Sequence, residues 1–158
     1  MMTIRQAVRE DVPLILDFIK GIAAYEKMSA DVKANEEMIA SEVFDHHRAE
    51  VIFVEEDGKP VGFALYFYNF STFVGHSGLY LEDLFVYPEY RGKGYGKTLF
   101  MYLVRLAVAQ GCGRMEWVCL NWNQPSIDFY RSMGAVPMSE WTTYRLTADT
   151  MRALVDKT

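Results

Sequence analysis

Little in this chain points to secretion, to a membrane or to a metal. Only two cysteines, Cys112 and Cys119, occur in 158 residues. They form neither a CxxC pair nor a set with closely spaced histidines, which argues against a zinc site. Two thiols do not make the disulfide framework of a small secreted domain, so reduced thiols in a cytoplasmic setting are expected. The opening residues, MMTIRQAVRED, lack the apolar core of a signal peptide. No apolar run approaches the ~20 residues of a membrane span. Basic residues are in the minority: 16 Lys and Arg against 21 Asp and Glu leave a formal net charge of −5. A general nucleic-acid binder needs a basic footprint, so that class is disfavoured and a cationic small-molecule partner suits the chain better.

What is present is a core. Hydrophobic residues make up 51% of the chain and aromatics 15%, which excludes a disordered polypeptide. The length suits one domain spanning residues 1–158. A chain of this size buries roughly 68–70% of its unfolded surface without staples.

Periodicity lays out the elements. Thr3–Val8 alternates as a strand. Glu10-Asp11-Val12-Pro13 reads as a helix start, and Leu14, Ile15, Phe18, Ile19 and Ile22 carry that helix to Tyr25. A second helix is expected over Asn35–Phe44. Glu50–Glu55 and Val61–Tyr68 read as strands joined by the Asp57-Gly58 hairpin signal. Asn69–Gly78 reads as a loop and Leu79–Val86 as a strand stopped by Pro88. A helix over Gly94–Gln110 buries Leu99, Leu103, Leu106 and Ala107. Arg114–Leu120 is expected as a strand, Pro125–Met133 as a helix stopped by Gly134, and Trp141–Leu146 as a last strand before a terminal helix. The predicted order is βααβββαβαβ, an α/β (α+β) arrangement with helices flanking a mixed sheet.

The most informative segment, Tyr87-Pro88-Glu89-Tyr90-Arg91-Gly92-Lys93-Gly94-Tyr95-Gly96-Lys97-Thr98, lies between a strand and a helix. Glycines at alternate positions free the backbone, and successive N–H groups can converge on an anion at the helix N-terminus. Arg91, Lys93 and Lys97 add cationic donors, so a diphosphate is the natural guest. Two familiar phosphate motifs fail on spacing. The Walker motif needs Gly at position 91, which is Arg. The dinucleotide fingerprint needs Gly at position 97, which is Lys.

Arg91-x-x-Gly94-x-Gly96 matches the Gln/Arg-x-x-Gly-x-Gly/Ala signature of the GNAT acetyltransferases. Tyr80-Leu81-Glu82-Asp83-Leu84-Phe85-Val86 precedes it, and Asn121-Trp122-Asn123-Gln124-Pro125-Ser126-Ile127-Asp128-Phe129-Tyr130 follows at family-like spacing. Over roughly Thr3 to Leu146, including Ala24-Tyr25-Glu26-Lys27-Met28, the chain resembles the diamine (spermidine/spermine) and thialysine N-acetyltransferase branch of that superfamily.

The resemblance implies a GNAT fold and transfer of acetyl from acetyl-CoA to a primary amine of a small molecule within a ternary complex, with no metal and in a homodimer. It implies that the backbone of Leu84, Phe85 and Val86 pairs with the pantetheine arm beside a strand that splays at a bulge. The turn Arg91, Gly92, Lys93, Gly94, Tyr95, Gly96 and Lys97 would take the diphosphate, and Asn123, Gln124, Pro125 and Ser126 would contact the coenzyme. Tyr130 is implied as the general acid, with Asn123, Ser126 and Tyr130 on one helix face by spacing. An amine of pKa about 10.4 is only ~0.04% neutral at pH 7, a deficit of roughly 4.6 kcal/mol, so a base is useful. The resemblance gives Glu82 that role near the amine. Asp83 is the fallback, because regular alternation would turn it to the other face. Tyr25 and Glu26 would line the amine pocket.

Where the diamine enzymes carry two acids, this chain has Ser71-Thr72 and Thr142, which favours a small lysine-like or diamine substrate over spermine. The bulky Tyr66–Phe73 segment suggests a closed pocket. Acetylation of a protein N-terminus or lysine, and a non-catalytic acyl-CoA sensor, are the competing readings. Asp45-His46-His47 reads as a surface helix end.

Overall fold

Val51, Ile52, Phe53 and Val54 follow one another in sequence and all are fully buried. Successive strand residues point to opposite faces, so a strand that reads this way must be covered on both sides. The computed structural model, which describes residues 1–157, shows how. By their contacts these residues divide into two compact units, Met1–Leu120 and Asn121 onward.

The first unit holds a five-stranded sheet in the order β1 (Met2–Gln6), β2 (Glu50–Glu56), β3 (Lys59–Ser71), β4 (His76–Val86), β5 (Arg114–Glu116). The first four are antiparallel neighbours, and β5 runs parallel to β4. Helix α1 (Val12–Tyr25) packs Ile15 and Phe18 against Val51, Phe53, Phe63 and Phe85, with Phe18 and Phe63 stacked at 5.0 Å. Helix α2 (Glu36–Ile39), capped by the Asn35 side chain, continues as a π-helical segment over Ala40–Asp45 and adds Ile39 and Val43 to that core. Strand parity then leaves Ile52, Val54, Leu84 and Val86 for the opposite face, which α3 (Tyr95–Ala109) covers with Leu99, Phe100 and Leu103. Asp57 (φ 49°) and Gly58 (φ 82°) form the two-residue β2–β3 turn that their sequence forecasts.

Three expectations need correction. The segment 69–78 is not a loop: β3 and β4 stay paired out to Ser71 opposite His76. Gly78 belongs to this ladder, where a Cβ would meet Asn69 Oδ1 at 2.5 Å. The turn needs only residues 72–75, because Gly75 adopts φ 76° and the buried Ser71 hydroxyl accepts the Val74 N–H. The strand expected over Arg114–Leu120 stops at Glu116, since pairing covers only Gly78–Tyr80 against Arg114–Glu116. Trp141–Leu146 forms no strand, so the expected order loses its last member. Alternation makes a two-faced ribbon, but a strand exists only where its N–H and C=O groups meet a ladder.

The second unit contains α4 (Gln124–Ser132) and α5 (Ala148–Asp156). Gly134 (φ 90°) ends α4 as expected, with Ala135 N–H on the Tyr130 carbonyl at 3.1 Å. Trp141 and Tyr144 are exposed. Among the described residues no helix is long and apolar enough to cross a membrane, and no group of His, Cys, Asp and Glu could hold a metal. Both cysteines are free thiols. Asp45 pairs with Arg9 at 2.6 Å on an exposed surface that includes His46 and His47.

Candidate active site

Strand β4 has two different edges. Along β3 it is paired to its end, whereas β5 accompanies it only from Gly78 to Tyr80. Beyond Tyr80 no described strand pairs with that second edge, so the backbone of Leu81–Val86 is open there. The register also slips: Leu65 lies opposite Asp83 and Tyr66 opposite Leu81, which leaves Glu82 as an extra residue with no partner. This is a β-bulge, a device that breaks pairing and re-aims side chains.

The open edge leads into the glycine-bearing turn. Pro88–Tyr90 form a single 3-10 turn, with Arg91 N–H on the Pro88 carbonyl at 3.2 Å. Gly92 (φ 79°) and Gly94 (φ 89°) are left-handed, and a Cβ on either would meet nothing within 4 Å. Gly94 is the N-cap of α3 and no side chain caps that end. The N–H groups of Tyr95, Gly96 and Lys97 have no partner within the helix, so a positive, uncapped helix start faces open space. Two side chains are committed elsewhere. Tyr95 is buried and its hydroxyl donates to Glu56, a bond that holds the phenol proton up to about 12. The Arg91 guanidinium donates from Nε to the Val86 carbonyl at 3.1 Å and lies over Tyr25 and Phe85. Phe85 itself is buried in the core against α1. Of the side chains expected at the diphosphate, Arg91, Lys93 and Lys97 all belong to exposed residues, with Lys93 Nζ over the Tyr90 ring.

The bulge gathers acids. Asp83 shares strand parity with Phe85, on the α1 face, and Glu26 caps the C-terminus of α1. Burial pushes the half-buried Asp83 carboxyl up to about 7, and the charges of Glu82 and then Glu26 push the same way. Glu26 is raised first by burial and then by Glu82. The register slip suspends at the bulge the alternation expected to separate Glu82 from Asp83, and the Glu82 charge acts on both Asp83 and Glu26. Tyr80 is raised by burial and by Glu82, and Cys119 by burial and by Glu26, so both border the acid group. Regular alternation puts Asp83 behind Glu82 as the candidate base, and the bulge reverses that order. The usable signal was two adjacent acids inside an apolar strand, which a regular strand cannot bring to one side.

In the hairpin segment expected to close a pocket, the aromatic side chains differ in exposure. Tyr66 is buried, but Phe70 and Phe73 project to solvent.

In the second unit the Asn123 side chain accepts the Ser126 N–H at 3.4 Å as the N-cap of α4. Asn123 thus precedes the helix, and the shared face reduces to Ser126 and Tyr130, four residues apart. Gln124 spans its first turn to Asp128 at 2.7 Å and Pro125 occupies its start. Tyr130 is half-buried, with its ring edge-on to Phe129 at 5.6 Å.

A strand edge without a partner, running into an uncapped helix N-terminus, defines a protein able to hold an extended anionic ligand. Residues 16–135 match the acetyltransferase (GNAT) family. The chain is 34% identical to thialysine N-epsilon-acetyltransferase of Bos taurus, over 98% of this chain and 97% of that protein. It is 43% identical to L-ornithine N5-acetyltransferase of Arabidopsis thaliana over 59% of this chain and 41% of that protein. A solved integron cassette protein from the mobile metagenome of V. cholerae superposes with a TM-score of 0.80 at 29% identity, covering 98% of this chain and 97% of the other. The chain belongs to the acetyltransferase (GNAT) family and is an N-acetyltransferase.

Proposed function

We propose that this protein transfers the acetyl group of acetyl-CoA directly to the terminal amine of a small lysine-like molecule. The observation that carries the reading is the course of β4: an open edge bearing a bulged carboxylate pair leads straight to an uncapped, glycine-lined helix start. That start fits a diphosphate, because Gly92 and Gly94 leave room where a side chain would stand. The backbone of Leu84, Phe85 and Val86 would hold the pantetheine arm as an added strand, and main-chain amides of Gly92–Lys97 would hold the diphosphate, aided by Lys93 and Lys97. Asn123, Gln124, Pro125 and Ser126 complete the proposed coenzyme contacts. When bound, the coenzyme supplies an activated thioester.

The amine arrives as a cation, which Glu26, Glu82 and Asp83 attract. It must then lose a proton. A carboxylate moved from 3.8 to about 7 is about a thousandfold stronger as a base, so Asp83 suits this step better than an ordinary acid. Glu82, unpaired at the bulge, orients the ammonium and keeps Asp83 basic by like-charge repulsion. Tyr130 donates a proton to the departing thiolate. Ser71 stands where the diamine enzymes carry an acid, and its hydroxyl closes the hairpin turn, which supports a short substrate over a long polycation. The names of the two relatives, one acting at thialysine N-epsilon and one at ornithine N5, support the same choice. A cytoplasmic homodimer belongs to the same proposal.

A thiol-release assay with acetyl-CoA tests it across thialysine, lysine, ornithine, putrescine, spermine and short peptides. Lysine-like amines should give the highest kcat/KM, with spermine about tenfold lower. A peptide preference would overturn the substrate, and coenzyme binding without turnover on any amine would leave only a sensor.

A further inference from the structure

Charge alone would assign Arg91 to a diphosphate, yet its guanidinium, on an exposed residue, lies against the surface of the first unit over the likewise exposed Tyr25. Nε is 3.1 Å from the Val86 carbonyl oxygen, and Cζ lies 4.7 Å from the Tyr25 ring centroid and 5.2 Å from that of Phe85. Phe85 packs so closely on α1 that a Cβ at Gly21 would come within 2.9 Å of its ring. One flat cation therefore joins the end of β4, the turn that follows it, and the last residue of α1. The next residue is Glu26, a member of the acid group. There the chain leaves the helix through Lys27 in the left-handed region (φ 61°), with Met28 N–H on the Ala23 carbonyl at 2.8 Å. Glu26 is held at this helix end by its own N–H on the Ile22 carbonyl at 2.9 Å, directly after Tyr25.

We propose that Arg91 is a positioning residue for the amine half of the reaction: stacked on Tyr25, it fixes the end of α1 and so the place of Glu26 beside Asp83 and Glu82. The inference rests on reading those carboxylates as the amine site. It ties the coenzyme turn to the amine pocket through a single side chain. Lysine cannot stand in for it, because an ammonium keeps the charge but loses both the planar stack and the Nε bond.

The test compares Arg91→Lys, Tyr25→Leu, Tyr25→Phe and the Arg91→Lys/Tyr25→Leu pair, reading amine KM, kcat and acetyl-CoA affinity by calorimetry. Arg91→Lys should raise amine KM by about fivefold or more while acetyl-CoA affinity moves by less than about threefold. Tyr25→Leu should do the same, and the double variant should be no worse than the worse single one. Tyr25→Phe, which keeps the ring, should raise KM less than Tyr25→Leu. Weakened acetyl-CoA binding with amine KM unchanged in Arg91→Lys would make Arg91 a plain phosphate ligand and overturn the inference, as would additive effects in the pair. Should Arg91→Lys fail to fold, the two Tyr25 variants decide, and equal KM for Phe and Leu would overturn it. Failure of the unaltered protein to bind acetyl-CoA would remove the proposed function and this inference with it.

Discussion

Two regions of the first unit handle charge in opposite ways. Around Gly92–Lys97 the positive potential comes from main-chain N–H groups that do not titrate and whose direction is set by backbone angles. Around Glu26, Glu82 and Asp83 the negative potential comes from side chains whose charges repel, raising Asp83 and Glu26. The first region should be insensitive to pH and intolerant of a Cβ at the left-handed Gly92 and Gly94. The second should tolerate shape changes but respond steeply to pH. One strand, β4, carries the acids and leads into the turn, so a diphosphate ligand and a cationic amine can be addressed from adjacent stretches of chain.

The contrast is broken most severely at Gly94. Gly94→Val forces a β-branched residue to φ 89° and places methyl groups in front of the helix start. Strain of about 1–3 kcal/mol is expected, and acetyl-CoA affinity should fall by about a hundredfold or more by calorimetry. Normal affinity would mean that the amides are not the grip.

Next in size is Asp83→Asn. Turnover at pH 7 should fall by about a hundredfold, and the limb of the pH–rate profile near pH 7 should vanish, because the carboxyl raised to that range is gone. Removing an acid whose proton affinity is raised by folding also has a sign in stability. The folded carboxyl binds its proton more tightly than the unfolded one, so its penalty is absent below pH 4 and grows as pH rises toward about 7. Asp83→Asn should flatten that fall in thermal stability.

Tyr130→Phe should cut turnover by about tenfold or more with acetyl-CoA affinity close to normal, and unchanged turnover would remove the acid role. The smallest effect sharpens the comparison most. In Glu82→Gln a like charge next to Asp83 is gone, so the activity limb should move to lower pH. A shift to higher pH would make Glu82 itself the base.

Legibility followed the same divide. Backbone devices announce themselves locally: Asp57-Gly58 gave its hairpin, Gly134 its helix stop, and Arg91–Lys97 its turn. The bulge did not, because a register slip depends on how β3 and β4 meet, and nothing in Leu81-Glu82-Asp83-Leu84 alone states it. Read as a regular strand, the segment therefore puts Asp83 behind Glu82. What the side chains of Tyr95 and Arg91 touch within the protein is not legible in the turn, because their partners, Glu56 and Tyr25, lie far off in sequence. The strand expected at Trp141–Leu146 failed for a related reason: alternation is local, a ladder partner is not.

The most direct test of the grip on the diphosphate is a pair of calorimetric titrations of the unaltered protein, one with acetyl-CoA and one with S-acetylpantetheine, which lacks the diphosphate. Acetyl-CoA should bind about a hundredfold more tightly and protect the fold from thermal unfolding. Equal affinity for the two, or no heat and no protection with acetyl-CoA, would contradict the account.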